Sequence, residues 1–426
     1  MIKEDLLIYL WNLKRFDLSN LRTIEGNEIL IEKSGFRNNG SGPDFFEAKI
    51  RIGETLWFGS VEIHVNASDW DKHHHENDSA YNNVILHVVY ENDKTIKTQS
   101  GIVLPVLELK NRISKSDIKN YKLLRFSKDW IPCEKQIYNV RKISKDQTLE
   151  RMIIDRMLRK SSKMKEYLLS NTNVWSESFY IFLSSYFGMN TNSVAFERLA
   201  ISLPLNVISK ENNSLQNIEA LLYGQAGFLN QNFKDEYPKI LKEEYNHLKS
   251  KYNLIQNPIS IWNFGKLRPQ NFPTIRIAEL AALLHKNTIL FDKLIDTENL
   301  EEIRKIFRID TSAYWESHYT FDISSNKKRK SLGANSIDVL IINAVLPAIF
   351  LYGHETDQYN YKELALKFLE NISGENNSII NKWKELGFNI QNAYDTQALL
   401  ELKKNNCDLH KCLDCPIGND IMNYNQ

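Results

Sequence analysis

Asp44 and the run Glu62-Ile63-His64 are the residues of this 426-residue chain whose types and spacing fit a reaction centre. Asp44 follows Gly42-Pro43, a pair that frees it from regular strand pairing. Glu62 and His64 alternate with Val61, Ile63 and Val65. On a strand the polar pair therefore shares one face with Ser60, and the apolar residues face a core. If 44–52 and 56–65 pair as a hairpin, Asp44 and Glu62 meet at one end. Two carboxylates repel unless a cation lies between them, and hard oxygen ligands suit Mg²⁺ or Mn²⁺. Such an ion activates water and stabilises a phosphoryl-transfer transition state. The plainer reading is a set of polar residues on the wet face of a sheet.

Two further groups carry chemistry. Cys407, Cys412 and Cys415 form a Cys-x₄-Cys-x₂-Cys run with His410 inside it. Thiolates at such spacing select zinc or an iron–sulfur cluster. The fourth ligand is either His410, nearby, or Cys133 from Trp130-Ile-Pro-Cys133, through space. Pro416 after the last cysteine, and the use of all four cysteines, favour a [4Fe–4S] cluster over zinc; the bland alternative is three reduced thiols on a tail. The other group is Asp69-Trp-Asp-Lys-His-His-His-Glu-Asn-Asp78. On a helix, His74 and Asp78 share a face, as do Asp71 and His75. His74 is the candidate base or phosphate ligand, and His73 reads as part of a solvated cap. His87, on an apolar strand with Ile85 and Val89, reads as a hydrogen-bonded core histidine.

These groups must be held by regular elements. Residues 4–14 predict a helix with Leu6, Leu7, Tyr9, Leu10 and Leu13 on its apolar face. Glu28 to Lys33 predicts a strand and Asn38 to Pro43 a loop. Asp44 to Ile52 and Leu56 to Val65 predict two strands turning at Gly53-Glu54. Ser68 is placed to cap a helix from Asp69 towards Tyr81. Val84 to Tyr90 predicts a dense apolar strand, and Thr95 to Leu109 a closing hairpin. The chain divides into an α/β domain over 1–110, a polar connector over 111–148, a helical domain over 149–404 and a Cys-rich tail over 405–426. Within the helical part Pro204, Pro238, Pro258, Pro269, Pro273 and Pro347 fall between apolar runs, as helix punctuation should.

The composition is that of an ordinary globular chain, 42% apolar and 25% charged, long enough for two or three domains. A net charge of +1 announces no nucleic-acid or membrane partner, so local patches must carry any such argument. No apolar run is expected to reach the roughly 18 residues of a membrane helix. The N-terminus lacks a secretory pattern, so the expected location is cytoplasmic. Four cysteines do not suggest a disulfide framework. Lys327-Lys-Arg-Lys330, the helix carrying Arg156, Arg159, Lys160, Lys163 and Lys165, the stretch Phe264 to Arg276, and Tyr314 to Tyr319 are segments able to hold phosphates or stack bases. Charge runs are more often solvated faces. Gly224-Gln-Ala-Gly227 lacks the lysine and strand of a phosphate loop and marks close helix packing instead.

Taken with this element order, Pro43-Asp44 and Glu62-Ile63-His64 make the first 110 residues resemble the PD-(D/E)XK nuclease superfamily. The resemblance implies an α+β chain, with a restriction-endonuclease-like α/β core followed by a large all-α domain. It maps the family's metal-binding aspartate onto Asp44, its second acid onto Glu62, and an additional metal ligand onto the Ile63 carbonyl. The family's lysine falls on His64, a departure, because histidine lacks a fixed charge near neutral pH. An upstream helical acid, used by some members, falls on Glu4. The implied activity is Mg²⁺- or Mn²⁺-dependent hydrolysis of phosphodiester bonds in DNA or RNA. The alternatives are a non-catalytic nucleic-acid-binding or scaffold protein that keeps a degenerate nuclease fold, and a hydrolase of small phosphate esters. The cysteines resemble, with different spacing, the iron–sulfur staple of some recombination and CRISPR-adaptation nucleases of this superfamily. Over its full length the chain also resembles a bacterial family known only as a domain of unknown function, which implies no activity.

Overall fold

The apolar stripe near the N-terminus forms helix α1 (Glu4–Asn12) in the computed structural model, which describes residues 2–38, 40–171 and 173–424. Leu6, Leu7, Leu10 and Trp11 of α1 are fully buried, whereas Leu13, beyond the helix end, is exposed. The strands that follow are β1 (Ile29–Lys33), β2 (Phe36–Arg37), β3 (Phe45–Ile52), β4 (Thr55–Asn66), β5 (Val84–Glu91) and β6 (Val106–Glu108). They make one mixed sheet in the order β1-β3-β4-β5-β6, with β2 also on β3. β1, β3 and β4 pair antiparallel, with the β3–β4 turn at Gly53 (φ +57°) as the sequence predicts. β5 and β6 join in parallel. The expected Thr95–Leu109 hairpin is reduced to a single Lys97–Val103 bridge, because β6 pairs with β5 rather than folding back on its own partner.

The helix expected from Asp69 to Tyr81 is broken. It consists of one turn, α2 (Asp69–Lys72), and then two 3₁₀ turns at His75–Asn77 and Ser79–Tyr81. His74 stops the helix by adopting a left-handed conformation at φ 62°. Ser68 does not cap α2; its hydroxyl and amide go to Asp93 instead. These turns lie over the β4–β5 part of the sheet, where Trp70 and Tyr81 pack with Ala67, Val84, Val89, Ile96, Leu104 and Val106.

The chain forms two compact units: residues 1–149 with 402–426, and residues 150–401. The 111–148 stretch and the Cys-rich end thus belong to the same unit as the sheet. Helix α3 (Lys115–Arg125) within that stretch is capped by Ser114, and its Asp117 accepts a 2.6 Å ion pair from Arg15. The terminal helix Pro416–Met422 is held by three clamps. Arg15 donates to the Met422 carbonyl, Asn120 to the Ile421 carbonyl, and Arg141 pairs with Asp420 at 2.6 Å.

The second unit is helical, with one addition to the all-α expectation: a small antiparallel ribbon, His318–Thr320 with Ile323–Ser324. Gly224 meets the ring of Tyr245 where two helices approach, the close packing expected of the Gly224 to Gly227 stretch. One helix, Ala334–Glu355, is long and apolar enough to cross a membrane, which the sequence reading did not anticipate. Two-thirds of its most apolar window is buried inside the unit, so core packing accounts for its composition.

Candidate metal centre

Asp44 and Glu62 are locked together by backbone. The Asp44 amide donates to Glu62 Oε2 at 3.0 Å, and the Ile63 amide donates to Asp44 Oδ2 at 3.0 Å. The loop before β3 makes this possible. Asn38 donates to the carbonyls of Ser41 and Pro43, and its own amide reaches the Asp44 carbonyl. A bulge follows, with Glu47 left-handed at φ 56° and the β3–β4 register shifting between Phe45 and Ala48. Bulges re-aim side chains at strand ends, and this one turns Asp44 towards Glu62 rather than into the ladder. In extended backbone a residue's amide and carbonyl point to the same side. The Ile63 carbonyl therefore shares the Asp44 side of β4.

Glu4, at the start of α1, completes an acidic trio. Burial, then Asp44, then Glu62 push its carboxyl up to about 7. Burial and Glu62 raise Asp44, and burial raises Glu62. The groups that ease them are few: the Arg37 cation and the His75 ring for Asp44, and the His75 ring for Glu4. Arg37 itself pairs with Asp414 at 2.9 Å. Three acids from α1, the pre-β3 loop and β4 thus share a site short of positive charge.

The polar face of β4 is not wet. Glu62 is 4% and His64 0% exposed, because α2 and the following turns cover them. His64 Nδ1 faces His87 Nε2 at 2.9 Å, and His64 Nε2 faces His73 Nδ1 at 3.1 Å. His87 is thus the hydrogen-bonded core histidine expected of it. His75 stacks on Tyr81 at 3.8 Å between ring centres and sets its Nε2 3.2 Å from Glu62 Oε1. Burial, reinforced by the neighbouring imidazoles, pushes the pKa of His64 far down, and burial holds His87 at about 3. Glu62 Oε1 lies 3.5 Å from His64 Nε2.

Asp44, Glu62, Ile63 and His64 come together; His74 does not join them. Its side chain is 81% exposed and reaches no closer than 3.9 Å to Glu76. Asp78 serves as a cap for Ala80. The pairing of His74 with Asp78 assumed a continuous helix, and the left-handed turn at His74 replaces that geometry. His75 points inward instead, and His73, though exposed, turns its Nδ1 to His64. Three adjacent histidines were a visible signal, but the sequence carried no cue to which of them faces the sheet.

The four cysteines also converge. None is in a disulfide, and Cys133, Cys407 and Cys415 are buried. Burial, then Cys415 and Cys412, raise the Cys133 thiol, and burial followed by the other three cysteines raises Cys407. A π-helical turn, Lys403–Cys407, delivers Cys407, and Gly418 leaves room against the Cys412 carbonyl. Among the described residues, His64, His73 and His75 are the group whose ligand atoms all lie within 4.8 Å, and no three of the thiols meet that spacing.

The basic segments of the second unit are largely engaged. Arg156 is buried against Asn343, Arg159 pairs with Glu401 at 2.5 Å, Lys163 with Glu197, and Lys165 with Glu355 at 2.8 Å. Lys327 pairs with Glu316, Arg329 with Asp310, and Lys330 is buried on backbone carbonyls over the Tyr319 ring. Arg276 is buried between Glu279 and Asn271. Tyr314 stacks on His318 at 4.0 Å and on Tyr237 at 4.4 Å.

No curated protein and no solved structure matches the chain. A family model does match, over residues 4–378. That span takes in the acidic trio, the histidine cluster and most of the helical unit, so this chain belongs to the family described as protein of unknown function (DUF2851).

Proposed function

We propose that the sheet-bearing unit is a metal-dependent phosphodiesterase of the nuclease type, acting on DNA or RNA. The observation that carries this reading is the Asp44–Glu62 pair: the Asp44 amide donates to Glu62 Oε2 and the Ile63 amide to Asp44 Oδ2, each at 3.0 Å, while burial raises both carboxyls and Glu4 feels their charge. Such a set is stabilised by a hard divalent cation. The donor chemistry fits Mg²⁺ or Mn²⁺, held by Asp44, Glu62 and the Ile63 carbonyl. When bound, the ion supplies a more acidic water and charge stabilisation at the phosphorus centre. The protein's own part is positional. The Asp44 amide and the Ile63 amide fix the two carboxylates, and His75 Nε2, 3.2 Å from Glu62 Oε1, holds the other oxygen of Glu62. His64 does not replace the superfamily's lysine as a cation, since both its ring nitrogens face other histidines. The run of helix, antiparallel strands, helix and parallel strand also supports the resemblance to the PD-(D/E)XK core.

The four thiols support a second cofactor, a [4Fe–4S] cluster, with Cys133 rather than His410 as fourth ligand. Zinc bonds of about 2.3 Å would set thiolate sulfurs roughly 3.8 Å apart. The wider thiol set suits a cluster, which places its own sulfides between the cysteines. Its role here is to tie residues 130–133 to the terminal segment.

The test is cleavage of single- and double-stranded DNA and RNA by the purified full chain with Mg²⁺ and with Mn²⁺. Metal-dependent cleavage that disappears in Asp44→Asn and Glu62→Gln, with circular dichroism unchanged, is expected. Cleavage that survives both substitutions, or none by the wild type on any of these substrates, overturns the reading.

A further inference from the structure

Ring nitrogens of His64, His73 and His75 gather over β4, and the Glu62 oxygen turned away from Asp44 faces two of them. His64 Nε2 lies 3.1 Å from His73 Nδ1 and 3.5 Å from Glu62 Oε1, and His75 Nε2 lies 3.2 Å from the same oxygen. The three histidines each bring a ring nitrogen within 4.8 Å of the others. An ion bound tetrahedrally through bonds of about 2.0–2.1 Å holds its ligand atoms roughly 3.3 Å apart. The three measured separations bracket that edge.

The surroundings suit metal ligation as well as the distances do. Ligating histidines are neutral and are oriented by a partner on the second ring nitrogen. His64 has that partner in His87 Nε2, at 2.9 Å. A proton held on His64 Nδ1 by this contact leaves Nε2 bare. His75 is fixed by its stack on Tyr81 and its edge contact with Trp70. His73 comes from the surface side, since it is exposed where His64 and His75 are buried. The set is therefore closed on the sheet side and open on the other, as a reactive rather than purely structural site requires.

We propose that His64, His73, His75 and Oε1 of Glu62 form a nitrogen-rich site for a borderline divalent ion of the zinc class, next to the all-oxygen pocket of Glu4, Asp44 and Glu62. Imidazole selects such ions over Mg²⁺. Glu62 then serves both sites, one oxygen to each. The inference shares Glu62 with the proposed phosphodiesterase pocket but does not need that pocket to be catalytic.

The test is metal binding by the full chain, freed of metal by dialysis against chelator and titrated with Zn²⁺ and with Co²⁺. The wild type is expected to take up one more equivalent than His73→Ala. The cobalt form should show the intense visible bands of a tetrahedral ion without thiolate charge transfer, which separates this site from the cysteines. His73→Ala and His75→Phe, the latter keeping the ring on Tyr81, should each weaken binding at this site at least about 10-fold, the lower end of what losing even an outer-shell partner costs. His74→Ala should bind as the wild type does. Equal stoichiometry and spectra in wild type and His73→Ala, or a weak octahedral cobalt spectrum, overturn the proposal. Mg²⁺-dependent cleavage without this uptake would remove the zinc site and leave the phosphodiesterase reading standing; uptake by a protein that cleaves nothing would do the reverse.

Discussion

Replacing Glu4 with glutamine should make the metal-free protein more stable at pH 8 and no more stable at pH 5. Glu4 has its pKa raised from 4.5 to about 7, by burial first and then by Asp44 and Glu62. A carboxyl whose folded pKa lies above its unfolded value binds protons more tightly in the folded state. Its contribution is fully present below the unfolded value and is lost as pH rises through the folded one. At about 1.4 kcal/mol per unit, ionising Glu4 in the folded protein costs at most about 3.5 kcal/mol. Glu4 is only partly buried, so solvent screening reduces this to roughly half. The residue opens α1, where a negative charge is worth about 0.3–1 kcal/mol to the helix, and glutamine forfeits that. The net expectation is a gain of about 1 kcal/mol at pH 8, or roughly 2–4 °C in melting temperature. Urea melts of chelator-treated protein, followed by tryptophan fluorescence at both pH values, read this directly; Trp11 and Trp70 are buried reporters in the same unit. Adding Mn²⁺ at about 100 times its dissociation constant should stabilise the wild type by about 2.7 kcal/mol and the variant by less, reversing their order. A variant that is less stable at pH 8 without metal would refute the reasoning, because it would mean that a resident cation of the protein already compensates Glu4.

Two further outcomes follow from the packing. Cys412→Ser or Cys133→Ser should abolish the broad absorption near 400 nm expected of anaerobically purified protein, and Cys133→Ser should do so as completely as Cys412→Ser; a protein that is colourless and holds one tightly bound zinc would replace the cluster with a zinc site. In the other unit, Gly224→Ala drives a methyl into the ring of buried Tyr245 and should cost about 1–3 kcal/mol, seen as a lower urea midpoint with the absorption near 400 nm unchanged.

The sheet was legible because β3, β4 and β5 are runs of the right length and alternation, punctuated by Gly53 and by the Asn38–Pro43 turn residues. Asp44 and Glu62 were legible for the same reason: one begins a strand and the other sits mid-strand at a fixed register. Their burial was not, because alternation alone cannot say whether a second layer covers the polar face. That layer is built by α2 and two 3₁₀ turns, whose course depends on a left-handed His74. Nothing local in His73-His74-His75 marks the middle residue for that conformation, so a regular helical period chose His74 and missed its neighbours. Cys133 lies far from its partners in sequence, and its place was argued only from the need for a fourth thiol. The membership of 111–148 in the first unit was hidden because its anchors, Arg15 with Asp117 and Arg141 with Asp420, are pairs far apart in sequence.

His64 is the residue on which the sequence and the structure bear most differently. Set against a lysine, it reads as a loss: a fixed cation is exchanged for a group that is neutral near pH 7. That reading treats the residue alone. In the folded protein His64 is one of four imidazoles in mutual contact, linking His87 on the next strand to His73 in the cover and lying across from Glu62. A lysine there would place an ammonium where burial already drives an imidazole to give up its proton. It would also remove the acceptor nitrogen that faces His73. His64 is therefore coupled to the histidines of the covering turns, and His64→Lys would be expected to need their loss as well. On the face of Glu62 turned away from Asp44 the protein therefore presents imidazole nitrogens rather than a cationic side chain.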